Sequence, residues 1–263
     1  MTDAPSVSPR AVIVTGASRG IGRAIALAFA KRGDNVCMAA RDAAALEGVA
    51  AEATAAGAAG VLPLAADLRD PAEPARVVAA VREEFGRLDG LVNNAGATKR
   101  GDFLTLSDED YADGFALKFH GAVRMCRAAW PALMETKGAI VNVAGASAHT
   151  PTPDFTIGGP VNSAVVNLSK ALANRGIEDG VRVNCVCPGH VRTERLDQRV
   201  RVRAERDGID LDAAREVLRR EYGISRFGDS QEIAAVIAFL LSPEAAYIQG
   251  AVIDVDGGTR RGI

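Results

Sequence analysis

Short apolar runs alternate with segments of helical periodicity along the whole chain. The first run, residues 11–14, is followed by a glycine-containing turn and then by Ile21, Ile25 and Phe29 at helical spacing. Apolar runs of this length are typical of buried strands, and the i, i+4, i+8 spacing is typical of an amphipathic helix. The pattern therefore predicts a strand, a turn and a helix at the start of the chain, and the same unit recurs to the end.

The later units extend this prediction. Ser107 and Asp110 have the spacing of a capping box at a helix start, and Pro160 is tolerable only in the first turn of its helix. The further predicted strands cover residues 35–40, 61–65, 88–93, 139–143, 181–187 and 251–255. The further predicted helices cover residues 42–56, 71–85, 107–130, 158–173 and 229–241.

Strands that are short, apolar and each followed by a helix indicate an α/β fold. We predict a single doubly wound parallel sheet of the Rossmann type, with helices on both faces and a helical lid. No linker or shift in composition divides the chain, so residues 1–263 are expected to form one dinucleotide-binding domain. Ligands of such sheets bind at the carboxyl ends of the strands, where the motifs described below fall.

A charged segment, residues 192–224, interrupts the alternation between the sixth strand and the last helix. Its charges could simply cover a solvated helical face. Alternatively, the segment is a lid over the ligand crevice, with arginines that contact an anionic substrate or the cofactor phosphates; we favour the lid. The alternating arginines are Arg195, Arg199, Arg201, Arg203 and Arg206.

Composition narrows the range of partners and locations. The formal net charge of −2 gives no sign of a nucleic-acid partner, and no apolar run has the length of a membrane span. Residues 1–9 lack the pattern of a signal peptide, so we expect a cytoplasmic protein.

The four cysteines could be either core residues or metal ligands. Cys185 and Cys187 would share one strand face and could bind a metal as a pair. Because no His or Cys partner lies at ligand spacing, we interpret both, with Cys37, as core cysteines and predict no metal site.

The turn after the first strand has the spacing Gly16-x-x-x-Gly20-x-Gly22. Such a turn could be an ordinary tight loop. Between a buried strand and a helix N-terminus, however, its free N–H groups and the helix dipole would face an anion. This placement favours nucleotide binding.

Further motifs follow in order: Asp67-Leu68, Asn93-Asn94-Ala95-Gly96, Pro188-Gly189-x-x-x-Thr193 and Asp256-Gly257-Gly258. With the glycine-rich turn, they make the sequence resemble the short-chain dehydrogenase/reductase family over nearly its whole length. The resemblance implies a single doubly wound domain that binds NAD or NADP and acts on a small carbonyl or alcohol substrate. It also implies a homo-tetramer or homo-dimer.

The resemblance assigns cofactor contacts residue by residue. Asp67 would lie near the adenine and Thr193 near the nicotinamide amide, whereas Asn93 and Asn94 could instead tie strand ends together. The expected cofactor-binding residues are Gly16, Ser18, Arg19, Gly20, Ile21, Gly22, Arg41, Asp67, Leu68, Asn93, Ala95, Gly96, Pro188, Gly189, Val191 and Thr193.

The end of the second strand predicts the coenzyme. An acid there would accept bonds from the ribose hydroxyls and repel a 2′-phosphate, but this chain has Ala40 followed by Arg41, with Arg19 in the turn. Two guanidinium groups suit a phosphate, so NADP is predicted over NAD. Asp42 is the residue that could reverse this preference.

The same resemblance implies a catalytic Asn, Ser, Tyr and Lys, and this chain has Lys118, Gly145, Gly158 and Asn162 at those four positions. Lys118 and Asn162 should both face the crevice. Lys118 could bind the nicotinamide ribose or stabilise an oxyanion, or it could extend to solvent. The two glycines should leave space for substrate or water.

A substitute proton donor would then be needed. His190 in the Pro188-Gly189 loop and His149 after Gly145 are candidates, since histidine titrates near neutral pH, although either could be plain polar surface. Asp154 and Thr156 approach the fifth helix. His120 is a weaker candidate, and Lys170 is read as a surface residue.

Three functions remain open at this point. The first is an NADP-dependent oxidoreductase with a non-standard proton relay, and it is preferred because the phosphate and nicotinamide motifs are intact. The second is a non-catalytic NADP-binding sensor or partner protein. The third uses the nucleotide pocket for another reaction, such as hydrolysis or isomerisation.

Overall fold

A parallel sheet of seven strands forms the centre of the computed structural model, which describes residues 9–262. The strands are β1 (Ala11–Thr15), β2 (Asn35–Ala40), β3 (Gly60–Ala65), β4 (Gly90–Asn93), β5 (Ala139–Val143), β6 (Arg182–Pro188) and β7 (Val252–Val255). Their order in the sheet is β3-β2-β1-β4-β5-β6-β7. The order reverses between β1 and β4, which opens a crevice at the carboxyl ends of these strands. The predicted doubly wound sheet is confirmed.

Helices connect successive strands, as predicted. They are α1 (Gly20–Ala30), α2 (Ala43–Ala55), α3 (Glu73–Phe85), α4 (Asp108–Phe115), α5 (Ala122–Thr136), α6 (Gly158–Asp179), α7 (Glu194–Asp207), α8 (Leu211–Glu221) and α9 (Ser230–Leu240). Helix α6 continues beyond the predicted end at residue 173. It ends at Gly180, which adopts a positive φ of 72°. Gly176 lies inside the helix, where a Cβ would overlap the Val181 carbonyl.

The predicted long helix over residues 107–130 is not uniform. Its capping box is confirmed: the Ser107 hydroxyl accepts from the Asp110 N–H at 3.3 Å, and the Asp110 carboxylate accepts from the Ser107 N–H at 3.1 Å. A π-helical segment, Ala116–Gly121, then separates α4 from α5. Such segments are frequent at functional sites, and this one contains Lys118.

Both faces of the sheet are buried. Val12 and Val14 of β1 belong to one apolar cluster, with Phe29 of α1 and Ile237 of α9. The alternate residues of β1, such as Ile13, point to the other face of the sheet and belong to a second apolar cluster formed with α3 and α5. This alternation confirms the prediction of helices on both faces, because successive strand residues point to opposite sides.

The charged segment folds into α7 and α8, which pack against each other over a small apolar core of their own. Leu196 and Val200 of α7 meet Ala214 and Leu218 of α8, and Phe227 closes the cluster. The segment is therefore a packed helical pair rather than one solvated helix. Its role as a lid stays a prediction.

All four cysteines are buried and none forms a disulfide, as expected for core cysteines. They are Cys37, Cys126, Cys185 and Cys187.

The helices described over residues 9–262 are also unsuited to spanning a membrane. None combines the length and apolar character needed to cross a bilayer.

Candidate active site

The glycine-rich turn joins β1 to α1 with two residues in the left-handed region. Gly16 has a φ of 66° and Gly20 a φ of 56°, and a Cβ on Gly22 would overlap the Gly16 carbonyl. Arg19 precedes the first turn of α1 without a side-chain cap, and that turn contains no acid. The first N–H groups of α1 therefore have no partner within the helix and face the crevice with its positive dipole end.

The residues beside this turn suit a bound pyrophosphate. A Cβ on Gly20 would point across the crevice to within 3.5 Å of Thr193 Cγ2, so glycine keeps this gap clear. Thr193 itself is placed by the bond from its hydroxyl to the Val191 carbonyl at 3.3 Å. Free backbone donors, a cleared approach and a hydroxyl on the opposite wall are the features that a bound dinucleotide requires.

Asn93 and Asn94 tie strand ends together, which was the structural alternative for both residues. The Asn93 amide donates to the Asn142 side-chain oxygen at 2.9 Å. The Asn94 amide donates to the Thr15 carbonyl at 3.0 Å and to the Gly16 carbonyl at 3.2 Å. These bonds hold β4 against β5 and against the glycine-rich turn, so the two asparagines shape the cofactor crevice from beneath.

The other motif residues also line the carboxyl edge of the sheet. Asp67 Oδ1 accepts from the Arg69 N–H at 3.1 Å, and the neighbouring Leu68 is buried. The Ala95 N–H donates to the Thr15 hydroxyl at 3.0 Å. These contacts place the segments after β3 and β4 on one side of the crevice, as the motifs predicted.

The loop after β6 forms the opposite wall. A Cβ on Gly189 would lie 2.6 Å from Asp256 Cα, so glycine lets the Pro188-Gly189 turn pack directly on the Asp256-Gly257-Gly258 segment. Val191 is buried and forms an isolated bridge with Gly228. The two C-terminal motifs thus pack against each other and brace this wall.

The residues that bear on coenzyme choice lie at the end of β2. The Asp42 carboxylate accepts from the Ala45 N–H at 3.0 Å and thereby caps α2. Arg41 is exposed beside it, and Arg19 pairs with the exposed Glu194 carboxylate at 3.3 Å. Because Asp42 is engaged as a cap, Arg41 and Arg19 are the charged groups suited to a phosphate here.

Lys118 reaches from the π-helical segment into the crevice. Its Nζ donates to the Ala144 carbonyl at 2.8 Å, and its stem packs on Gly96, whose Cβ would lie 2.8 Å from Lys118 Cδ. Burial, reinforced by nearby Arg195, lowers the pKa of Lys118 to about 8. The side chain is therefore directed inward, and the alternative that it extends to solvent is wrong.

Asn162 lies on the first turns of α6 and faces the loop after β5. Its amide donates to the Ser147 hydroxyl at 2.7 Å, and a Cβ on Gly145 would lie 3.1 Å from that amide nitrogen. Asn162 Oδ1 is buried without a hydrogen-bond partner in residues 9–262. Sequence reasoning missed Ser147, although it is the first hydroxyl after Gly145.

Gly158 does not leave open space, and that expectation is wrong. The Phe155 ring occupies the volume that a Gly158 side chain would enter. The Arg100 guanidinium lies 3.9 Å from the centre of the same ring, and Arg100 also pairs with Asp154 at 2.7 Å. An aromatic ring three residues earlier in the chain thus replaces a side chain at 158, a contact that no motif signals.

His190 stacks on Tyr222, with ring centres 3.5 Å apart and planes 3° from parallel. Burial, together with nearby Arg199 and Arg100, lowers the pKa of His190 to about 4. The imidazole is therefore neutral near pH 7. Tyr222 was passed over because it falls in the charged segment outside any motif, yet α8 carries it to the loop after β6.

The remaining polar candidates lie at different places. His149 Nε2 is 4.0 Å from Cys187 Sγ and 3.9 Å from Asp254 Oδ1. Thr156 accepts from the Tyr111 hydroxyl at 2.9 Å. His120 is exposed, and Lys170 is also exposed and bonds to the Gly250 carbonyl at 3.0 Å.

Positive charge gathers where α7 approaches the crevice. Arg195 donates to the Gly96 carbonyl at 3.1 Å. Burial and the neighbouring guanidinium groups of Arg199, Arg19 and Arg100 lower the pKa of Arg195, and burial and Arg100 lower that of Arg199. Over residues 9–262, neither Arg195 nor Arg199 forms a salt bridge within 4.0 Å, although the Asp154 carboxylate and the Tyr222 hydroxyl act on Arg199 from nearby.

Comparison with known proteins identifies the family. A family profile described as enoyl-(acyl carrier protein) reductase matches residues 16–260. Oxidoreductase UcpA of Escherichia coli is 31% identical over 252 residues, which cover 95% of this chain and 94% of UcpA. This chain belongs to the short-chain dehydrogenase/reductase family.

Two other members of the short-chain dehydrogenase/reductase family are described with a coenzyme. NADPH-dependent reductase BacG of Bacillus subtilis is 30% identical over 259 residues, covering 98% of this chain and 100% of BacG. The crystal structure of L-sorbose reductase from Gluconobacter frateurii, complexed with NADPH and L-sorbose, superposes with a TM-score of 0.93. It is 32% identical, and the match covers 98% of each chain. The family membership establishes this chain as an oxidoreductase by homology.

Proposed function

We propose that this protein is an NADP-dependent oxidoreductase that transfers hydride between the nicotinamide and a carbonyl or alcohol substrate by a non-standard proton relay. In the proposal the serine and tyrosine expected from the family are absent, since Gly145 and Gly158 stand at those positions. NADPH supplies the hydride when it is bound. The chain's own residues must then bind the substrate, balance charge on its oxygen and deliver a proton.

The position of Lys118 is the observation that carries the proposal. Its ammonium group is held at the Ala144 carbonyl, next to Gly145, in a partly buried crevice. A fixed positive charge there would stabilise the oxyanion that develops on a carbonyl during reduction. With a pKa of about 8, the ammonium can also give its proton to the alkoxide and be reprotonated from solvent.

Lys118 is preferred over the two histidines as the proton donor. His190, with a pKa of about 4, carries no proton to give as an imidazolium near neutral pH. His149 directs its Nε2 toward Cys187 and Asp254. In this proposal Asn162 orients the Ser147 hydroxyl beside Gly145, and both stay in the site as positioning residues.

Coenzyme choice rests on the end of β2. Arg19 and Arg41 would bind the 2′-phosphate of NADP, while Asp42 is engaged as the α2 cap. BacG, an NADPH-dependent reductase, and the NADPH complex of L-sorbose reductase support this choice. The NAD⁺-bound xylitol dehydrogenase structure, at 24% identity, shares the fold alone.

The substrate is proposed to be a small carbonyl or alcohol that carries an anionic group. Arg195 and Arg199 lie on α7, which forms the proposed lid, and within the described residues neither forms a salt bridge. A carboxylate or phosphate on the substrate would balance this charge when the lid covers it.

The chain is further expected to act as a homo-tetramer or homo-dimer in the cytoplasm.

A second candidate is a sensor or partner protein that binds NADP without turnover. It is favoured by the two glycines at 145 and 158, and by the Phe155 ring that fills the space at 158. Fluorescence titration with NADPH, followed by turnover assays on a panel of neutral and anionic carbonyl compounds, separates the two. Tight binding with turnover supports the enzyme, binding without turnover supports the sensor, and no binding of either coenzyme at millimolar concentration contradicts both.

A further inference from the structure

Three metal-ligating side chains converge at the carboxyl end of β6, away from the glycine-rich turn. Cys187 on β6 and Asp254 on β7 are register partners in the parallel ladder, and His149 ends the short 3₁₀ turn Ala146–Ala148 after β5. One ligand atom from each lies within 4.8 Å of the other two. The sheet therefore brings together residues that lie far apart in the chain. His149 is 38 positions before Cys187, and Cys187 is 67 positions before Asp254.

The geometry is that of a ligand set rather than a proton relay. Both Cys187 Sγ and Asp254 Oδ1 approach the same nitrogen, His149 Nε2, at 4.0 Å and 3.9 Å. A Cys-His-Asp relay would need the two partners on opposite ring nitrogens. Here the three groups point instead to one common volume.

The carboxylate is already oriented toward that volume. Asp254 Oδ2 accepts from Arg260 at 2.8 Å, whereas Oδ1 is buried and has no hydrogen-bond partner in residues 9–262. A buried carboxylate oxygen without a partner is costly unless something neutralises it. Arg260 thus acts as the outer partner that fixes a ligating carboxylate, a common feature of metal sites.

The donor atoms select the ion. A sulfur, an imidazole nitrogen and a carboxylate oxygen suit Zn²⁺ better than Mg²⁺ or Ca²⁺. A tetrahedral zinc with bonds of about 2.3 Å to sulfur and about 2.0 Å to nitrogen separates these atoms by about 3.5 Å, so the distance of 4.0 Å between Cys187 Sγ and His149 Nε2 requires only a small contraction. A thiolate and a carboxylate would supply two negative charges to the ion, with the Arg260 guanidinium behind the carboxylate.

We propose that His149, Cys187 and Asp254 form a binding site for Zn²⁺ or a similar divalent transition metal, with a fourth position open to water. The side chains of His149 and Asp254 are 23% and 21% exposed, which gives an ion access to the buried Cys187 sulfur. The bound ion would join the loop after β5 to β6 and β7. It would also occupy His149 Nε2 and so remove this histidine from proton transfer.

Titration of the metal-stripped full-length protein with Co²⁺, followed by displacement with Zn²⁺, tests the proposal. We expect one equivalent to bind and to give a thiolate-to-cobalt absorption band that Zn²⁺ abolishes. Cys187→Ser should lose the band and His149→Ala should weaken binding at least tenfold. Arg260→Gln should weaken binding about 10- to 100-fold, as expected when an outer partner is lost.

Matched controls use residues of the same type outside the cluster. Cys37→Ser removes a buried thiol from β2, and His120→Ala removes an exposed imidazole. Both should keep the band and the affinity. Absence of the band from the wild-type protein, or equal binding by wild type and His149→Ala, would overturn the proposal. Because His149 lies on a partly exposed loop, its variant tests the site even if Cys187→Ser does not fold.

The test is independent of the proposed reaction. NADPH binding, measured by fluorescence on the same samples, reports on the glycine-rich turn and not on this cluster. If the protein binds Co²⁺ but not NADPH, the metal site is supported and the proposed function is contradicted. If it binds NADPH but not Co²⁺, the metal site is contradicted and the proposed function is unaffected.

Discussion

Lys118 Nζ donates to the Ala144 carbonyl oxygen at 2.8 Å, across the crevice between the π-helical segment and the loop after β5. This bond directs an ammonium group toward the end of the sheet where Gly145 begins the next turn. The stem of the lysine is held against Gly96, one of the residues expected to line the cofactor. A single side chain therefore links the proposed cofactor crevice to the loop after β5.

Replacing Lys118 tests its part in the chemistry. Lys118→Met keeps the apolar stem and removes the charge, and we expect kcat for carbonyl reduction to fall about 100- to 1,000-fold because a preorganised charge at the oxyanion is lost. Steady-state kinetics with saturating NADPH measure the change. Lys170→Met is the matched control, since Lys170 also bonds to a backbone carbonyl but on the outer part of α6. Equal kcat values for the two variants would contradict the role.

The pH dependence of stability should also report on Lys118. Its pKa is about 8 in the folded protein and 10.5 in the unfolded chain, so the unfolded state binds more protons between these values. The free energy of unfolding should therefore increase as pH rises through this window, and the burial penalty is fully present below pH 8. Lys118→Met should be more stable than wild type by about 1–3 kcal/mol at pH 7, with a difference that shrinks toward pH 10. Urea unfolding at several pH values measures it, and a pH-independent difference would contradict the assignment.

The contact between the Phe155 ring and Gly158 can be tested with a single and a double variant. Gly158→Tyr alone should destabilise the protein by about 1–3 kcal/mol, because the new side chain must displace the Phe155 ring. Gly158→Tyr combined with Phe155→Ala should recover most of that loss in thermal unfolding. If the single and double variants unfold at the same temperature, the Phe155 ring does not control this position.

Coenzyme preference should depend on Arg41. Loss of a charged hydrogen bond to the 2′-phosphate costs about 1.5–3 kcal/mol, so Arg41→Ala should weaken NADPH binding about 10- to 100-fold. NADH binding should change little. Arg23→Ala is the control, because Arg23 lies on α1 and pairs with Glu52. Fluorescence titration with both coenzymes measures the ratio, and an unchanged ratio in Arg41→Ala would count against NADP.

The proposed preference for anionic substrates can be tested with variants of two arginines on α7. Arg199→Ala should raise KM for anionic carbonyl substrates at least tenfold and leave KM for neutral ones nearly unchanged, since only the former need the guanidinium. Arg203→Ala, one helical turn later, removes an arginine that is already paired with Asp207 and Glu221. We expect no such discrimination in that variant. A parallel rise in KM for neutral and anionic compounds would refute the assignment.

Much of the fold could be predicted from short-range patterns. The apolar run at residues 11–14 and the capping box at Ser107 involve neighbours in the chain, and the structure confirms both. The π-helical segment around Lys118 escaped prediction because a single extra residue in a helical turn leaves the apolar spacing almost unchanged. The predicted end of α6 at residue 173 was wrong, because the residue that ends the helix is Gly180, which adopts a positive φ.

The sequence by itself determined the parallel sheet, the glycine-rich turn and the family, because these depend on residue spacing and on backbone conformations that Gly16, Gly20 and Gly22 permit. Only the tertiary structure decided that Phe155 fills the place beside Gly158, that Lys118 points inward, and that His149 meets Cys187 and Asp254. These relationships join side chains from segments whose mutual approach is set by packing of the whole domain. No local pattern of residues encodes such distances, so they emerge only when the sheet and its helices are assembled.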